Sequence, residues 1–428
     1  MARAQEDQVM SSADTSESTE SIRKTFKYRL YPTPEQEAVL AQTLGLCNWL
    51  YNAALEQRRY VWRTRQKSLS YYDQKAELPD LKTTFPEFAR VHSQVVQDVI
   101  KRVDTAFQRF FDGLSNHRRV GYPRFKAATQ YHSFMYPQYG NGVTVLDNGK
   151  LRLSKIGEVV VAWSRPIEGE IKTVTLARTA GVWFVCFSCA GVSVQPHSPT
   201  GQTVGIDLGL NVFLMTDQGV TVDNPRYYRK AQKRLKKCQQ EMARRPKLLD
   251  RSASAMPGAK VTGQNRRKSL VKLQRVFQDV ARQRTDMHHK TARWLVTNFD
   301  VICVEQLRVA AMTRNSHLAK SIYDAAWAAF LTILASKAAS AGVSVVCIPA
   351  AYTTQTCSNL LPNGQRCGSR VKKSLSVRTH ICPSCGYIAD RDYNAARNIK
   401  QEGLRRLAGD TSATHTVPSG GRERTSLG

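Results

Sequence analysis

Polar and apolar residues alternate along KTFKYRLYP (Lys24–Pro32), the period of a half-buried strand. Pro32 and Pro34 interrupt the chain. Glu35 then opens a stretch in which Leu40, Leu44, Trp49, Leu50 and Leu55 fall at helical spacing. Helical spacing resumes from about Pro86 to Leu114. Between Gly121 and His197 the pattern changes to short apolar runs, VTVLDNGKLRLS and IKTVTLARTAGVWFVCFSC, cut by Asn-Gly and Ala-Gly pairs. Such runs predict antiparallel hairpins. The first half therefore reads as a strand, a helical insert over about 34–115, and further strands closing into a β-barrel that spans 24–199.

A second unit begins near Thr203. TVGIDLGLNVFLMTD predicts an apolar strand, a turn at Gly209–Asn211 and a second strand. Residues 226–296 are mostly helical in pattern and are interrupted by the loop SASAMPGAKVTGQN. NFDVICVEQL predicts a buried strand. Ser321 to Ser340 predicts a helix with Trp327 and Phe330 on its apolar face. GVSVVCIPA predicts another strand. A cysteine-bearing insert over 351–388 follows, and then a helix, YNAARNIKQEGLRRL, that ends an element over 389–406. Strands alternating with helices imply an α/β unit with a mixed sheet over 200–350, so the whole chain reads as multi-domain α+β.

Charge sharpens this picture. Across 428 residues, Lys and Arg outnumber Asp and Glu by 63 to 34, a formal net charge of +29. A surplus of that size predicts a polyanionic partner, most simply nucleic acid. Arg226 to Arg284 carries nineteen basic residues against Glu241, Asp250 and Asp279, which suits a surface that tracks phosphates. No run of about eighteen apolar residues occurs, so no membrane span is expected. The N-terminal stretch 1–23 is polar and acidic without the apolar core of a secretory signal, and 407–428 is rich in Gly, Ser and Thr; both read as disordered tails. A cytoplasmic, nucleoid-associated location is expected.

Two residue clusters carry candidate chemistry. Asp207 lies inside VGIDLGL and Glu305 inside VICVEQL; Asp390 and Asp392 precede the last helix. A lone acid in an apolar strand is costly to bury unless it is paired, protonated or metal-bound. Two such strands in a basic chain point to convergence on metal. Hard cations take oxygen ligands, and two Mg²⁺ ions about 4 Å apart suit phosphodiester hydrolysis. Asp392 sits at the expected mouth of a helix beginning near Tyr393, where it could act as cap, ligand or both, with Asp390 as the second candidate.

The other cluster is made of cysteines. Six of the ten are scattered, and Cys186 and Cys189 form a Cys-x-x-Cys only within an expected strand, where positions three apart face opposite ways. Cys357, Cys367, Cys382 and Cys385 are different. Cys382-Pro-Ser-Cys385-Gly is the spacing of a zinc knuckle, and four thiolates would hold one structural Zn²⁺, with His380 in reserve if Cys357 or Cys367 fails to reach.

VGIDLGLN, VICVEQLRVAAMTRN, SIYDAAWAAF, TTQTC and CPSCGYIADRDYNAARNI resemble, in order, the RuvC-like nuclease region of TnpB proteins, the transposon-encoded relatives of small type V CRISPR effectors. KTFKYRLYPTPEQEAVL, LGLCNWLYNAAL and GYPRFK look like the same family's wedge and recognition domains. The resemblance implies an RNase H-like sheet with Asp207, Glu305 and Asp392 holding Mg²⁺. It implies an RNA-guided DNA endonuclease acting beside a short flanking motif, with guide RNA and double-stranded target DNA as partners, and most simply a monomer. Arg124, Lys126, Arg229, Lys233 and Lys237 are the candidate nucleic-acid contacts. The family usually has two residues between the first pair of cysteines, whereas CSNLLPNGQRC has nine, which opens the zinc geometry to question. The competing readings are a nuclease-inactive guided repressor, a transposase working without guide RNA, and a plain zinc-finger DNA binder. The last leaves Asp207 and Glu305 without a role.

Overall fold

The computed structural model describes residues 21–118, 120–245, 248–249, 260–261, 263–374 and 376–409. Most of both predicted tails and most of the loop between the basic helices lie outside these residues.

β1 (Ser21–Tyr31) alternates outward and inward, burying Phe26, Tyr28 and Leu30. Thr33 then caps α1 (Pro34–Arg65) in a reciprocal capping box with Gln36, and Pro34 occupies the first turn. α2 (Tyr71–Ala76), α3 (Leu78–Thr84) and α4 (Ser93–Ser115) complete the helical insert. Six strands follow: β2 (Ser133–Tyr136), β3 (Val143–Val145), β4 (Leu151–Leu153), β5 (Gly157–Ala162), β6 (Glu170–Thr179) and β7 (Val182–Ser193). With β1 they form one sheet in the order β2-β6-β7-β1-β5-β4-β3. This differs from the predicted closed barrel: among the described residues no ladder joins β2 to β3. These edge strands are consecutive in the chain and only four and three residues long, so little length is available to pair across the gap. Along β7, Cys186 and Cys189 do alternate faces, Cys189 being buried.

The second sheet combines β8 (Thr203–Leu208), β9 (Val212–Thr216), β10 (Thr221–Asp223), β13 (Val301–Gln306) and β14 (Ser344–Pro349) in the order β10-β9-β8-β13-β14. β8, β9 and β10 form an antiparallel meander, whereas β8, β13 and β14 run parallel and require helical crossovers. The first crossover is a long hairpin of α5 (Tyr227–Ala243) and α6 (Gln264–Asn298), with the short pair β11 (Leu248–Leu249) and β12 (Lys260–Val261) between them. The second contains α7 (Val309–Met312), α8 (Ser316–Ala325) and α9 (Trp327–Ala341). The single helix predicted over 321–340 is thus broken at Ala326, which adopts a left-handed backbone (φ 50°). Ser316–Ala341 has the length and apolar composition of a membrane span. In this fold Trp327, Phe330 and Leu334 instead join Val204, Ile206, Ile302 and Val304 in one core.

Past β14 the chain makes the cysteine-bearing insert and the ribbon β15 (Thr379–Ile381) and β16 (Ile388–Asp390), then ends in α10 (Arg391–Gly409). α10 lies against the other face of the sheet, with Ile399 touching the cluster of Cys303, Val346 and Ile348. The approach is close. A Cβ on Gly205 would overlap the Ala396 carbonyl and the Lys400 amide, and one on Gly403 would overlap the Cys303 sulfur.

Candidate metal centres and nucleic-acid face

Strand parity places the first two carboxylates. Val204, Ile206 and Leu208 of β8, and Ile302 and Val304 of β13, point into the core under α6 and α9. The alternate positions, Gly205 and Asp207 on β8 and Cys303 and Glu305 on β13, therefore face α10. Val304 pairs with Ile206 in the parallel register, so Glu305 and Asp207 come next, side by side at the carboxyl ends of adjacent strands. Asp392 enters from the first turn of α10, with its Oδ2 3.6 Å from where a Cβ on Gly209 would stand. All three are buried, at 8%, 8% and 7% exposure for Asp207, Glu305 and Asp392.

Burial, followed by the charges of Glu305 and Asp392, pushes the Asp207 carboxyl well above the usual carboxylate range; Arg391 and Arg378 pull the other way. Burial also raises Glu305, opposed by the Thr353 hydroxyl, which donates to Glu305 Oε1. Arg378 donates to Asp392 Oδ2. Asp207, Glu305 and Asp392 offer oxygen ligands of the kind Mg²⁺ takes; among the described residues, only Cys357, Cys367, Cys382 and Cys385 bring three or more ligand atoms within 4.8 Å of one another.

Asp390 occupies a different position. Its Oδ1 accepts the Asp392 N–H at 2.7 Å and the Tyr393 N–H at 3.1 Å. α10 thus begins at Arg391 rather than near Tyr393. The cap anticipated at Asp392 is supplied by Asp390, which leaves Asp392 free to face the strand acids.

The four cysteines converge. Their sulfurs lie within 4.8 Å of one another, with Cys357–Cys385 at 3.7 Å and Cys367–Cys382 at 3.6 Å. A tetrahedral Zn²⁺ with bonds of about 2.3 Å requires S···S edges of about 3.8 Å, so the donors fit. Burial opposes ionisation of Cys382, yet the Cys385 and Ser384 amides hold its thiol down at about 6. The wide Cys357–Cys367 spacing is accommodated by a small finger. Leu360 bridges Arg366, Gly364 turns at φ +75°, and the Cys367 N–H returns to the Asn359 carbonyl at 3.0 Å. His380 stands outside the cluster: it is fully buried, with Nδ1 against the Lys373 ammonium.

The candidate nucleic-acid contacts separate into two groups. Arg229, Lys233 and Lys237 are exposed on α5, whose other face packs Leu235 and Cys238 against Leu273 and Val276 of α6. Arg124 is exposed, whereas the Lys126 ammonium lies 4.1 Å from the Tyr51 ring centroid and its backbone bonds Asn48 and Asn52. Sequence reasoning missed a groove of about 580 Å³ where Arg178 of β6 meets Arg234 of α5 and Arg267, Lys268, Lys272 and Arg275 of α6. Among the described residues Arg267, Lys268 and Arg275 have no acidic partner, while Arg178 reaches Glu37, Arg234 Asp279 and Lys272 Glu241. The run of basic residues signalled α5 and α6; nothing in the sequence placed Arg178 beside them. Thr353, Arg378, Asn394 and Asn398 were also missed, although TTQTC and Asn-Ala-Ala stood out as motifs.

Three family models match: "Helix-turn-helix domain" over 21–67, "Probable transposase" over 185–316 and "Cas12f1-like, TNB domain" over 327–399. The first covers β1 and α1, a strand and one long helix. The chain is 34% identical over 395 residues to a "Putative RNA-guided DNA endonuclease" of Streptomyces pristinaespiralis, covering 90% of each. It is 28% identical to the "Putative RNA-guided DNA endonuclease InsQ" of Escherichia coli K12, covering 90% of this chain and 93% of that protein. The solved Cas12f1–sgRNA–target DNA complex shares its fold at a TM-score of 0.52 and 13% identity, over 89% of this chain and 99% of that one. On the full-length identity and these consecutive matches, the chain belongs to the TnpB family.

Proposed function

We propose that this protein is an RNA-guided DNA endonuclease whose RuvC-type site is Asp207, Glu305 and Asp392, cutting target DNA beside a short flanking motif. The observation that carries the reading is the convergence of three buried carboxylates from β8, β13 and α10 onto one face of an otherwise apolar sheet. The names of its relatives support guidance by RNA and action on DNA.

The residues have separable roles. Asp207 and Glu305 offer rigid oxygen ligands because the parallel strands fix their separation. Asp392 completes the set from a helix start held by Asp390. Bound Mg²⁺ would activate water and neutralise the charge that builds on the scissile phosphate. Thr353 orients Glu305. Cys357, Cys367, Cys382 and Cys385 would hold one structural Zn²⁺, a closed site with no position for substrate. The groove lined by Arg178, Arg267, Lys268 and Arg275 adds a backbone-gripping surface to the exposed face of α5.

The test of guidance is what travels with the protein. Purified from cells that carry its own flanking DNA, it should bring down one defined RNA, identified by sequencing. Protein that cuts or joins DNA free of any defined RNA is an unguided nuclease or, if it joins strands, a transposase, and the proposal fails. Protein that carries RNA but does not cut matched DNA in Mg²⁺ is a guided binder, and the nuclease half of the proposal fails.

A further inference from the structure

Two asparagines of α10 hold the cysteine finger on either side of its ligands. The Asn394 carboxamide brackets Cys357: Nδ2 donates to the Thr356 carbonyl at 2.8 Å, and Oδ1 accepts the Ser358 N–H at 3.0 Å. Asn394 and Ser358 are both 0% exposed, so the bond between them is closed to water, while the Thr356 bond is half-buried. One helical turn on, Asn398 Nδ2 donates to the Thr353 carbonyl at 2.8 Å and the Thr356 carbonyl at 2.7 Å. Its Oδ1 accepts from Arg366, the neighbour of Cys367, at 3.1 Å. Thr353 closes the chain of contacts by donating its hydroxyl to Glu305. A continuous set of buried and half-buried hydrogen bonds therefore runs from the cysteines through the finger root to one carboxylate. Asn394 also stands two residues from a second carboxylate, Asp392, on the same helix turn.

We propose that Thr353, Asn394 and Asn398 are positioning residues that couple the two centres, so that a filled thiolate site sets Glu305 and Asp392 to receive divalent ions. The proposal rests on reading the three carboxylates as a metal site. Without an ion the four sulfurs lose the ligand bonds that would tie them to one another, and only the backbone of the finger holds them near. The stretch from Thr353 to Ser358 then keeps its asparagine clasp and the backbone bonds that tie Gln355 to Val371 and Cys357 to Ser369, and the hydroxyl that aims Glu305 moves with that stretch. Buried amides and carbonyls without partners are disfavoured, so the clasp transmits displacement rather than absorbing it.

The experiment uses full-length protein with Mn²⁺ as probe. Mn²⁺ affinity is read by electron paramagnetic resonance, and zinc content by colorimetric release. Thr353→Val should weaken Mn²⁺ binding about tenfold with zinc content unchanged, while Thr353→Ser stays within about twofold of wild type. Stripping zinc from wild type should weaken Mn²⁺ binding similarly, and should add little in the Val variant. Wild-type affinity in Thr353→Val, or equal losses in Val and Ser, would overturn the proposal. If stripped protein loses its fold, the Val and Ser pair in zinc-loaded protein decides alone. Asp207→Ala is the control: wild-type Mn²⁺ affinity there sinks the carboxylate site itself. Loss there with none in Thr353→Val sinks only the coupling.

Discussion

Replacing Asp207 with Asn should stabilise the protein in Mg²⁺-free buffer and remove its stabilisation by Mg²⁺. Asp207 and Glu305 stand side by side on paired strands, which lie about 4.8 Å apart. At an effective dielectric of about 20, two like charges at that separation repel by roughly 3 kcal/mol. Burial adds to the strain, and Arg391 and Arg378 offset part of it. A net gain of about 1–2 kcal/mol is expected, or roughly 2–8 °C in the melting of the nuclease domain. The sign follows from the raised pKa. Asp207 is held above its unfolded value of about 3.9, so the stability it contributes is complete below about pH 4 and is lost as pH rises through the raised value. The advantage of the Asn variant should therefore be absent near pH 4 and grow as pH rises from there. Mg²⁺ at about 100 times its dissociation constant should stabilise wild type by about 2.7 kcal/mol and leave the variant unmoved. Thermal unfolding without chelator, so that zinc stays in place, reads both effects. A variant less stable than wild type at pH 7.5, or an equal Mg²⁺ shift in both proteins, would refute the reasoning.

Three further outcomes follow from the same geometry. Asp390→Ala should cost about 1 kcal/mol of stability through loss of the α10 cap and retain cutting, whereas Asp392→Asn should abolish cutting without that loss; equal activity losses would contradict the division of roles. Arg267→Gln with Lys268→Gln should flatten the slope of log affinity for nucleic acid against log salt by roughly 2, about one unit for each phosphate no longer neutralised, and an unchanged slope would remove the groove from the binding face. Gly205→Ala should destabilise by about 1–3 kcal/mol or more in thermal melts, because α10 must lift off β8, and a neutral result would mean that the helix packs less closely on the strand than the Gly205–Ala396 approach implies.

How much of this was legible depends on whether a residue's role is local. Asp207 and Glu305 stand out in sequence because a charge inside an apolar strand is anomalous by itself. Their alignment depends on the parallel β8–β13 register, which no local pattern encodes. Asp392 ranked above Asp390 in sequence for its place before Asn394-Ala395-Ala396 and at the helix mouth; which of the two caps is decided by where the N–H groups of Asp392 and Tyr393 point. The thiolate cluster was visible at Cys382 and Cys385 and obscured at Cys357 and Cys367, where a finger folded on the Leu360–Arg366 bridge fills the extra length. The strands of the first sheet were legible in its hairpins, but the closed barrel expected of them needs β2 to pair with β3, which no local pattern encodes and the described residues do not show. Arg178 and Thr353 gain their roles only from tertiary neighbours.

The central claim, that three acids cut DNA at a site chosen by bound RNA, is tested most directly by one cleavage assay. Protein loaded with its RNA is given plasmids that do or do not match the guide, in Mg²⁺, as wild type and as Asp207→Ala. The account predicts cutting of the matched plasmid by wild type alone. Cutting of matched DNA by Asp207→Ala at the wild-type rate would contradict it.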